Sequence, residues 1–391
     1  MDRQQQTLLG GLRADAFMQR IWQRKPWLVR GAWAQPAFID RASLFALAAR
    51  EDVESRLITQ TGRRWALTHG PIKRRAMPAL SQRAWTLLVQ GVDLHLDAAH
   101  GLLRRFDFVP WARLDDVMVS FATDGGGVGP HTDDYDVFLL QVQGKRRWQV
   151  GPVDHARWRT DTPLKQLKGF APTDSWTLDA GDMLYVPPGW GHHGTAVGSC
   201  MTASIGFRAP RAVELARDLM ARMVDDDDER IGAPTSLRYR DAARHASTRP
   251  GEIPAAMTRF AVQSVTAAMR TDDALALALG EWLTEPKPLV IFDREAAPQP
   301  RAMRADIVLD RRTRMLYDAR FVFINGESFE VSGTDADRLH ALADARSMQR
   351  GDWQSMSASA RNAVGTWMAA GWLHRVPMAS AAPNQSNRRS T

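Results

Sequence analysis

Gly125-Gly126-Gly127-Val128-Gly129-Pro130-His131-Thr132-Asp133 carries the most specific pattern in this chain, and Pro187-Pro188-Gly189-Trp190-Gly191-His192 completes it. A His-x-Asp pair with a distant second histidine is the ligand set of the facial triad that holds non-haem Fe(II), leaving the opposite face of the metal open. In a strand, residues i and i+2 point to the same side, so His131 and Asp133 can reach one ion. The residues that follow, Asp136 to Val142, are rich in branched and aromatic types and read as a strand. His192 lies 192 − 131 = 61 residues on, after a second apolar run, Met183-Leu184-Tyr185-Val186. A barrel of antiparallel strands closed on itself would bring the two segments together.

The glycines read as a flexible lip at the mouth of that barrel, where a substrate could approach the backbone, or as a plain surface loop ahead of a strand. A second His-x-Asp, His95-Leu96-Asp97, has no glycine lip before it and no apolar strand after it. Its surroundings read as helix, on which i and i+2 do not face one another. His95, Asp97 and His100 are therefore expected to be ordinary surface residues.

A triad of this kind commonly works with 2-oxoglutarate, which chelates the iron at one end and needs a cation and a hydroxyl for its far carboxylate. Gly144-Lys145-Arg146-Arg147-Trp148-Gln149-Val150 offers three cations. Strand alternation puts Arg146 on the side of apolar Trp148 and Val150, with Lys145, Arg147 and Gln149 outside. A guanidinium fork also matches a carboxylate in bidentate geometry. The bland alternative is a solvated basic edge. Ser120, in Val117-Met118-Val119-Ser120-Phe121, is a candidate hydroxyl, although parity does not settle which way it points.

Taken jointly, several stretches give a resemblance. They are Phe17 to Pro26, Glu54-Ser55-Arg56-Leu57, Asp115 to Ser120, the glycine lip with His131-Thr132-Asp133, Tyr135 to Phe138, Gly144 to Trp148 and Pro187-Pro188-Gly189. The chain resembles the JmjC-type bacterial ribosomal oxygenases, which hydroxylate an arginine of large-subunit ribosomal protein L sixteen. The resemblance implies an α+β chain: a double-stranded β-helix of the JmjC/cupin jelly-roll type, a helical dimerisation region and a C-terminal winged helix. It implies His131, Asp133 and His192 as iron ligands, Arg146 as the 2-oxoglutarate arginine and Ser120 as its hydroxyl partner. It further implies Fe(II), with 2-oxoglutarate and dioxygen as co-substrates, and a homodimer. One departure is visible. Trp190-Gly191-His192-His193-Gly194 places His193 where the family commonly has an acidic residue. His192 keeps the ligand position, and His193 is the alternative.

Beside the ligand strand, Asp134, Tyr135 and Asp136 form an acidic and aromatic group suited to a guanidinium substrate. Asp136 has the opposite parity to Asp133, so it is also a candidate for capping a strand or turn.

At 391 residues with 44% hydrophobic content the chain has room for two or three domains. No apolar run approaches a membrane span, and Met1 to Thr7 lacks a signal peptide's apolar core. The single cysteine, Cys200, fits a reducing, cytoplasmic setting and reads as a buried apolar residue. The net charge of +7 is compatible with an RNA-rich neighbour without demonstrating nucleic-acid binding.

The expected organisation is an oxygenase domain with a helical lead-in over 1–207, a helical dimerisation region over 208–285, a winged-helix-like domain over 286–378 and a disordered tail over 379–391. Trp22, Trp27 and Trp33 are read as packing residues. The acidic run Asp225 to Glu229 is read as a solvated helix end. Asn325-Gly326 ahead of Phe329-Glu330-Val331 is a hairpin signal. Between Arg301 and Pro377, eleven basic residues face nine acidic ones, too even a balance for a nucleic-acid surface, so a protein-contact role is expected. Three other readings remain: a histidine hydroxylase of a ribosomal protein, a small-molecule dioxygenase or isomerase on a cupin barrel, and a non-enzymatic metal-sensing DNA-binding regulator.

Overall fold

The computed structural model describes residues 7–225, 253, 255–268, 272–294 and 305–376. The chain divides into two compact units, Met1–Pro210 with Pro288–Val290, and Arg211–Lys287 with Ile291–Thr391.

The first unit is built on one antiparallel sheet. Its strands are β1 (Trp27–Val29), β2 (Ser55–Thr61), β3 (Arg64–His69), β4 (Trp85–Val89), β5 (Leu114–Ala122), β6 (His131–Thr132), β7 (Asp136–Gly151), β8 (Asp174–Leu178), β9 (Met183–Val186) and β10 (Gly191–Phe207). The path runs β1-β9-β7-β10-β5-β4-β2-β3, with β6 added to β10 and β8 to β7. The two long strands hold the fold together. They pair along almost their whole length, from Asp136↔Phe207 to Gly151↔Gly191. The ladder slips register between Val197 and Met201. At that point Gly144 has a φ of +66°, and a Cβ on it would stand 2.3 Å from the carbonyl oxygen of Ser199, so only glycine fits. On either side of the bulge the long strands acquire different neighbours. The early part of β7 pairs with β9 and its late part with β8, while β10 pairs with β6 at its start and β5 at its end. Val137 and Leu139, before the bulge, pack in one cluster with Trp148 and Val150, after it. The ladder thus folds over on itself, the double-stranded β-helix of the jelly-roll class.

Strand β7 reads as a continuous apolar run because both its faces are covered. Val137 and Leu139 face the interior of the roll, whereas Phe138 and Leu140 belong to a second core against the N-terminal helices. Helix α1 (Ala14–Arg20) supplies Phe17 to this second core. Trp22 stacks on Tyr185 with ring centroids 5.5 Å apart, the packing role expected of it. Helix α2 (Arg41–Ala48) starts where Asp40 accepts from the Ser43 amide at 2.7 Å. Asp97 opens helix α3 (Asp97–Leu103), so the second His-x-Asp sits on a turn and a helix start, as its surroundings implied.

The second unit begins with α4 (Ala212–Asp225), α5 (Ala255–Ala268) and α6 (Asp272–Thr284). It continues through β11 (Asp306–Leu309), β12 (Met315–Tyr317), β13 (Phe321–Ile324), β14 (Glu327–Glu330), α7 (Gly333–Ala345), β15 (Ser347–Met348), α8 (Arg350–Gln354), α9 (Ala358–Ala369) and β16 (Leu373–Val376). Two three-stranded sheets result, β15-β11-β16 and β12-β13-β14. Asn325 and Gly326, with φ of +50° and +88°, form the tight turn between β13 and β14 that the sequence signalled. Residue 285, the boundary read from the sequence, separates α6 from these strands, yet α6 is fastened to them. Ser328 donates to Glu281 at 2.6 Å, and the Gly326 amide donates to Thr284 Oγ1 at 3.1 Å. The acidic residues 226–229 and the tail from Ala379 lie outside the described residues.

Candidate metal centre

The segment ahead of β6 is not a loose lip. Gly126 and Gly127 are buried, and a Cβ on Gly127 would stand 2.3 Å from the carbonyl oxygen of Gly194. The segment is also tied down by hydrogen bonds. Ala196 N donates to Gly126 O at 2.9 Å, Gln166 Nε2 to Val128 O at 2.9 Å and Leu167 N to Pro130 O at 2.7 Å. The expectation of flexibility is corrected: Gly127 is needed for close approach to β10 and Gly126 for close approach to Trp85 O of β4, partners from elsewhere along the chain.

That approach sets the register of β6. His131 lies directly opposite His192, and the two rings sit with centroids 4.1 Å apart. His131 Nδ1 is 3.0 Å from Gly129 O, and His192 Nδ1 is 3.2 Å from Trp190 O. With Nδ1–H donated to a carbonyl, each ring presents its Nε2 lone pair. Both Nε2 atoms face Asp133, at 3.9 Å from Oδ1 for His131 and 3.4 Å from Oδ2 for His192. Two donors each about 2.1 Å from a shared ion are at most about 4.2 Å apart, so these separations suit a common ligand sphere. All three donors lie within 4.8 Å of one another, the one such group among the described residues. Burial first, and then the neighbouring His192, hold the His131 pKa down at about 4. Burial pushes Asp133 upward, but His192 and His131 outweigh it and leave its pKa at about 2. At neutral pH His131 is therefore neutral and Asp133 ionised, the forms that ligate.

His193 points elsewhere. It occupies the rung of Gln149, and its Nε2 is 3.4 Å from Thr195 Oγ1. Adjacent strand residues face opposite sides, so only one of the two histidines can join His131.

The triad opens into a cavity of about 280 Å³. The same cavity is lined by Arg146, 3% exposed, whose burial lowers its pKa. Trp148 and Val150 are buried with it while Lys145 and Arg147 are exposed, the alternation expected along β7. Lys145 pairs with Asp179 at 2.8 Å, and Arg147 donates to Ser175 at 3.1 Å. Arg146 donates to Gly194 O at 3.2 Å and lies 5.0 Å from the Trp148 ring. Its Nε and Nη1 are buried with no hydrogen-bond partner. Buried donors are almost always paired, so this fork fits an anion supplied by a ligand. Ser120 lines the same cavity, its hydroxyl donating to Thr202 O at 3.3 Å.

The three residues suggested for the substrate separate. Tyr135 lines the cavity mouth, 40% exposed, and its hydroxyl hydrogen-bonds Asp133. Burial and the charges of Asp133 and Asp116 raise its pKa, so it stays a donor. Asp134 is exposed and is not among the cavity-lining residues. Asp136 is a correction. It is fully buried, accepting from Tyr185 at 2.6 Å, Gln23 at 2.9 Å and Arg113 at 3.0 Å. Its carboxylate joins β7 to β9, to Gln23 and to Arg113, and its full burial leaves it out of a substrate's reach. Asp136→Ala is expected to lower unfolding free energy by roughly 3 kcal/mol in urea titrations, because Arg113 and Tyr185 lose their partner. An unchanged midpoint would remove the clamp role. Two residues were missed: Asp115 and Asp116 also line the cavity, and alternation could have found Asp116, which shares the parity of Ser120.

The JmjC domain family matches residues 101–215, and the ROXA-like winged helix family matches 267–374. A ribosomal protein uL16 3-hydroxylase of Escherichia coli K12 is 39% identical over 203 residues. That stretch is 51% of this chain and 53% of the relative, about half its length. A solved structure of E. coli YcfD superposes with a TM-score of 0.81 at 26% identity, covering 93% of this chain and 98% of that one. The chain carries a JmjC domain and a ROXA-like winged helix and is similar to the ribosomal oxygenases. A structure of the E. coli ribosomal oxygenase YcfD in complex with cobalt and 2-oxoglutarate covers the same shares with a TM-score of 0.77 at 26% identity. Among the more distant ribosomal-oxygenase relatives, a Caenorhabditis elegans bifunctional lysine-specific demethylase and histidyl-hydroxylase, NO66, is 30% identical over 122 residues, 29% of this chain and 16% of that protein. The winged-helix match starts before α6, in keeping with the fastening of that helix to β13 and β14. No described helix is long and apolar enough to cross a membrane.

Proposed function

We propose that this chain is an Fe(II)- and 2-oxoglutarate-dependent oxygenase that hydroxylates an arginine side chain of a large-subunit ribosomal protein in the cytoplasm. His131, Asp133 and His192 hold the metal, and Arg146 with Ser120 takes the far carboxylate of 2-oxoglutarate. When bound, iron with 2-oxoglutarate and dioxygen supplies the oxidising power to turn C–H into C–OH, with release of succinate and carbon dioxide. The chain's own residues bind, orient and exclude water. Tyr135 donates to Asp133 and so steadies the ligand carboxylate. Apolar Val137, Leu139 and Trp148 shield the space between the metal and Arg146.

The choice of arginine is carried by the mouth. Asp115, which also pairs with Arg208 at 3.3 Å, Asp116, which also accepts from the Gly91 amide at 3.0 Å, and the Tyr135 ring line the cavity, and carboxylates with an aromatic face favour a planar cation over a neutral imidazole. The kinship with a uL16 hydroxylase supports the same substrate class. The test is mass mapping of ribosomal proteins after incubation with Fe(II) and 2-oxoglutarate. A gain of one oxygen on an arginine of uL16 is the expected result, and oxygen on a histidine instead would move the substrate to the rival class.

A nucleic-acid role finds little support. Helix α9 carries one cation, Arg361, and its Nη1 is engaged by the carbonyls of Gln354 and Met356. A homodimer is the assembly proposed. Val213 and Met220 on α4, and Met257, Val262 and Val265 on α5, are 44–82% exposed, apolar surface that a monomer would leave in water. Sedimentation at micromolar concentration is expected to give about twice the 43.7 kDa chain mass; a monomer there refutes the assembly alone.

A further inference from the structure

We infer that Arg56 is a specificity-determining residue of this site, taking an acceptor oxygen from the protein segment that carries the target side chain. The inference rests on the function proposed above.

The register of the sheet places it. Arg56 on β2 opposes Leu88 on β4, Leu88 opposes Ser120 on β5, and Ser120 opposes Thr202 on β10. Directly opposed residues share a face, so Arg56 looks onto the same inner surface as Ser120. Two strand spacings separate them, roughly 10 Å. Arg56, Ile58 and Gln90 line the same cavity on the strands beside β5.

The side chain is held but incompletely partnered. Arg56 Nη2 donates to Gln90 Oε1 at 3.0 Å. Its Nε is buried without an acceptor, and no carboxylate among the described residues forms an ion pair with it. Such a guanidinium is oriented to receive an oxygen. The other components of the reaction are already provided for, the metal by the triad and the co-substrate carboxylate by Arg146. The remaining component is the protein substrate, whose segment offers main-chain carbonyls at every residue and carboxylates at acidic ones. The charges also sort the two ends of that segment. A target guanidinium is repelled by Arg56 and drawn to Asp115 and Asp116, so the segment can enter in one register only.

The test uses the full chain loaded with Fe(II) and compares KM for the ribosomal protein with KM for 2-oxoglutarate. Arg56→Ala is expected to raise the first about tenfold and the second less than twofold. Arg56→Lys keeps the charge but loses the fork, and is expected to raise KM for the protein about threefold. That variant carries the test if Arg56→Ala folds poorly. An unchanged KM for the protein in the folded variants overturns the inference, as does a parallel rise for 2-oxoglutarate. No turnover of any ribosomal protein by the unaltered chain overturns the proposed function, and this inference with it. Substrate peptides with each Asp or Glu changed to its amide identify the source of the oxygen. One amide reproducing the tenfold rise in the unaltered chain, with none further in Arg56→Ala, marks a carboxylate. If none does, a main-chain carbonyl is the acceptor.

Discussion

Asp133→Ala is expected to leave no detectable hydroxylation and to lower metal affinity by more than about a hundred-fold, the upper end of what loss of a mere outer partner causes. The reason is electrostatic as well as geometric. Asp133 is the only anion of the triad and faces both imidazole Nε2 atoms. Two buried neutral rings alone give a divalent ion no charge compensation. His131→Ala is expected to behave alike, since it removes the ring opposite His192. His193→Ala provides the contrast, a loss of a few-fold at most, because that side chain leaves the strand on the other side. The measurement is cobalt titration by absorption, with far-ultraviolet circular dichroism to show an intact fold. Cobalt bound at full affinity by Asp133→Ala, or lost in His193→Ala alone, would move the ligand set.

Arg146→Ala is expected to weaken 2-oxoglutarate binding roughly ten- to a hundred-fold. A charge-assisted bidentate contact contributes about 1.5–3 kcal/mol, and each 1.4 kcal/mol is about a factor of ten. The same residue has two buried nitrogens that no protein group pairs, an unfavourable arrangement that an anionic ligand relieves. Arg146→Met, which fills the space without a charge, is therefore expected to lose the co-substrate without losing thermal stability. Arg147→Ala is the control: exposed and bonded to Ser175, it should leave 2-oxoglutarate affinity within about twofold. Equal losses in both variants would refute the alternation argument.

Much of this site was legible because it depends on local periodicity. Alternation along β7 placed Arg146 inside and its basic neighbours outside, and the two-residue spacing joined His131 to Asp133. The Asn325-Gly326 turn was similarly local. What escaped were contacts set by distant partners. Nothing near Gly127 reveals that Gly194 O will press against it, so a packed element read as a mobile one. Asp136 looked like part of the mouth because its partners, Gln23, Arg113 and Tyr185, come from three other segments. The orientation of Ser120 came from family resemblance, while the parity shared by Asp116 and Ser120 went unused. The attachment of α6 to β13 and β14 was hidden because an apolar stripe on a helix does not say which surface it will cover.

The packed glycine segment that leads into the ligand-bearing strand β6 bears on when the target can be modified. A segment hydrogen-bonded on both sides and seated against β10 has little freedom to close around a guest, so it loses little conformational entropy on binding. The ordering falls on the substrate segment instead, at roughly 1–2 kcal/mol for each residue whose backbone is fixed. A segment still mobile on a newly made ribosomal protein can bear that loss and thread its side chain inward. The same segment locked among its neighbours in a finished ribosome would first have to be extracted. For the substrate proposed above, the rigidity of a few glycines thus favours reaction during the interval between synthesis and assembly.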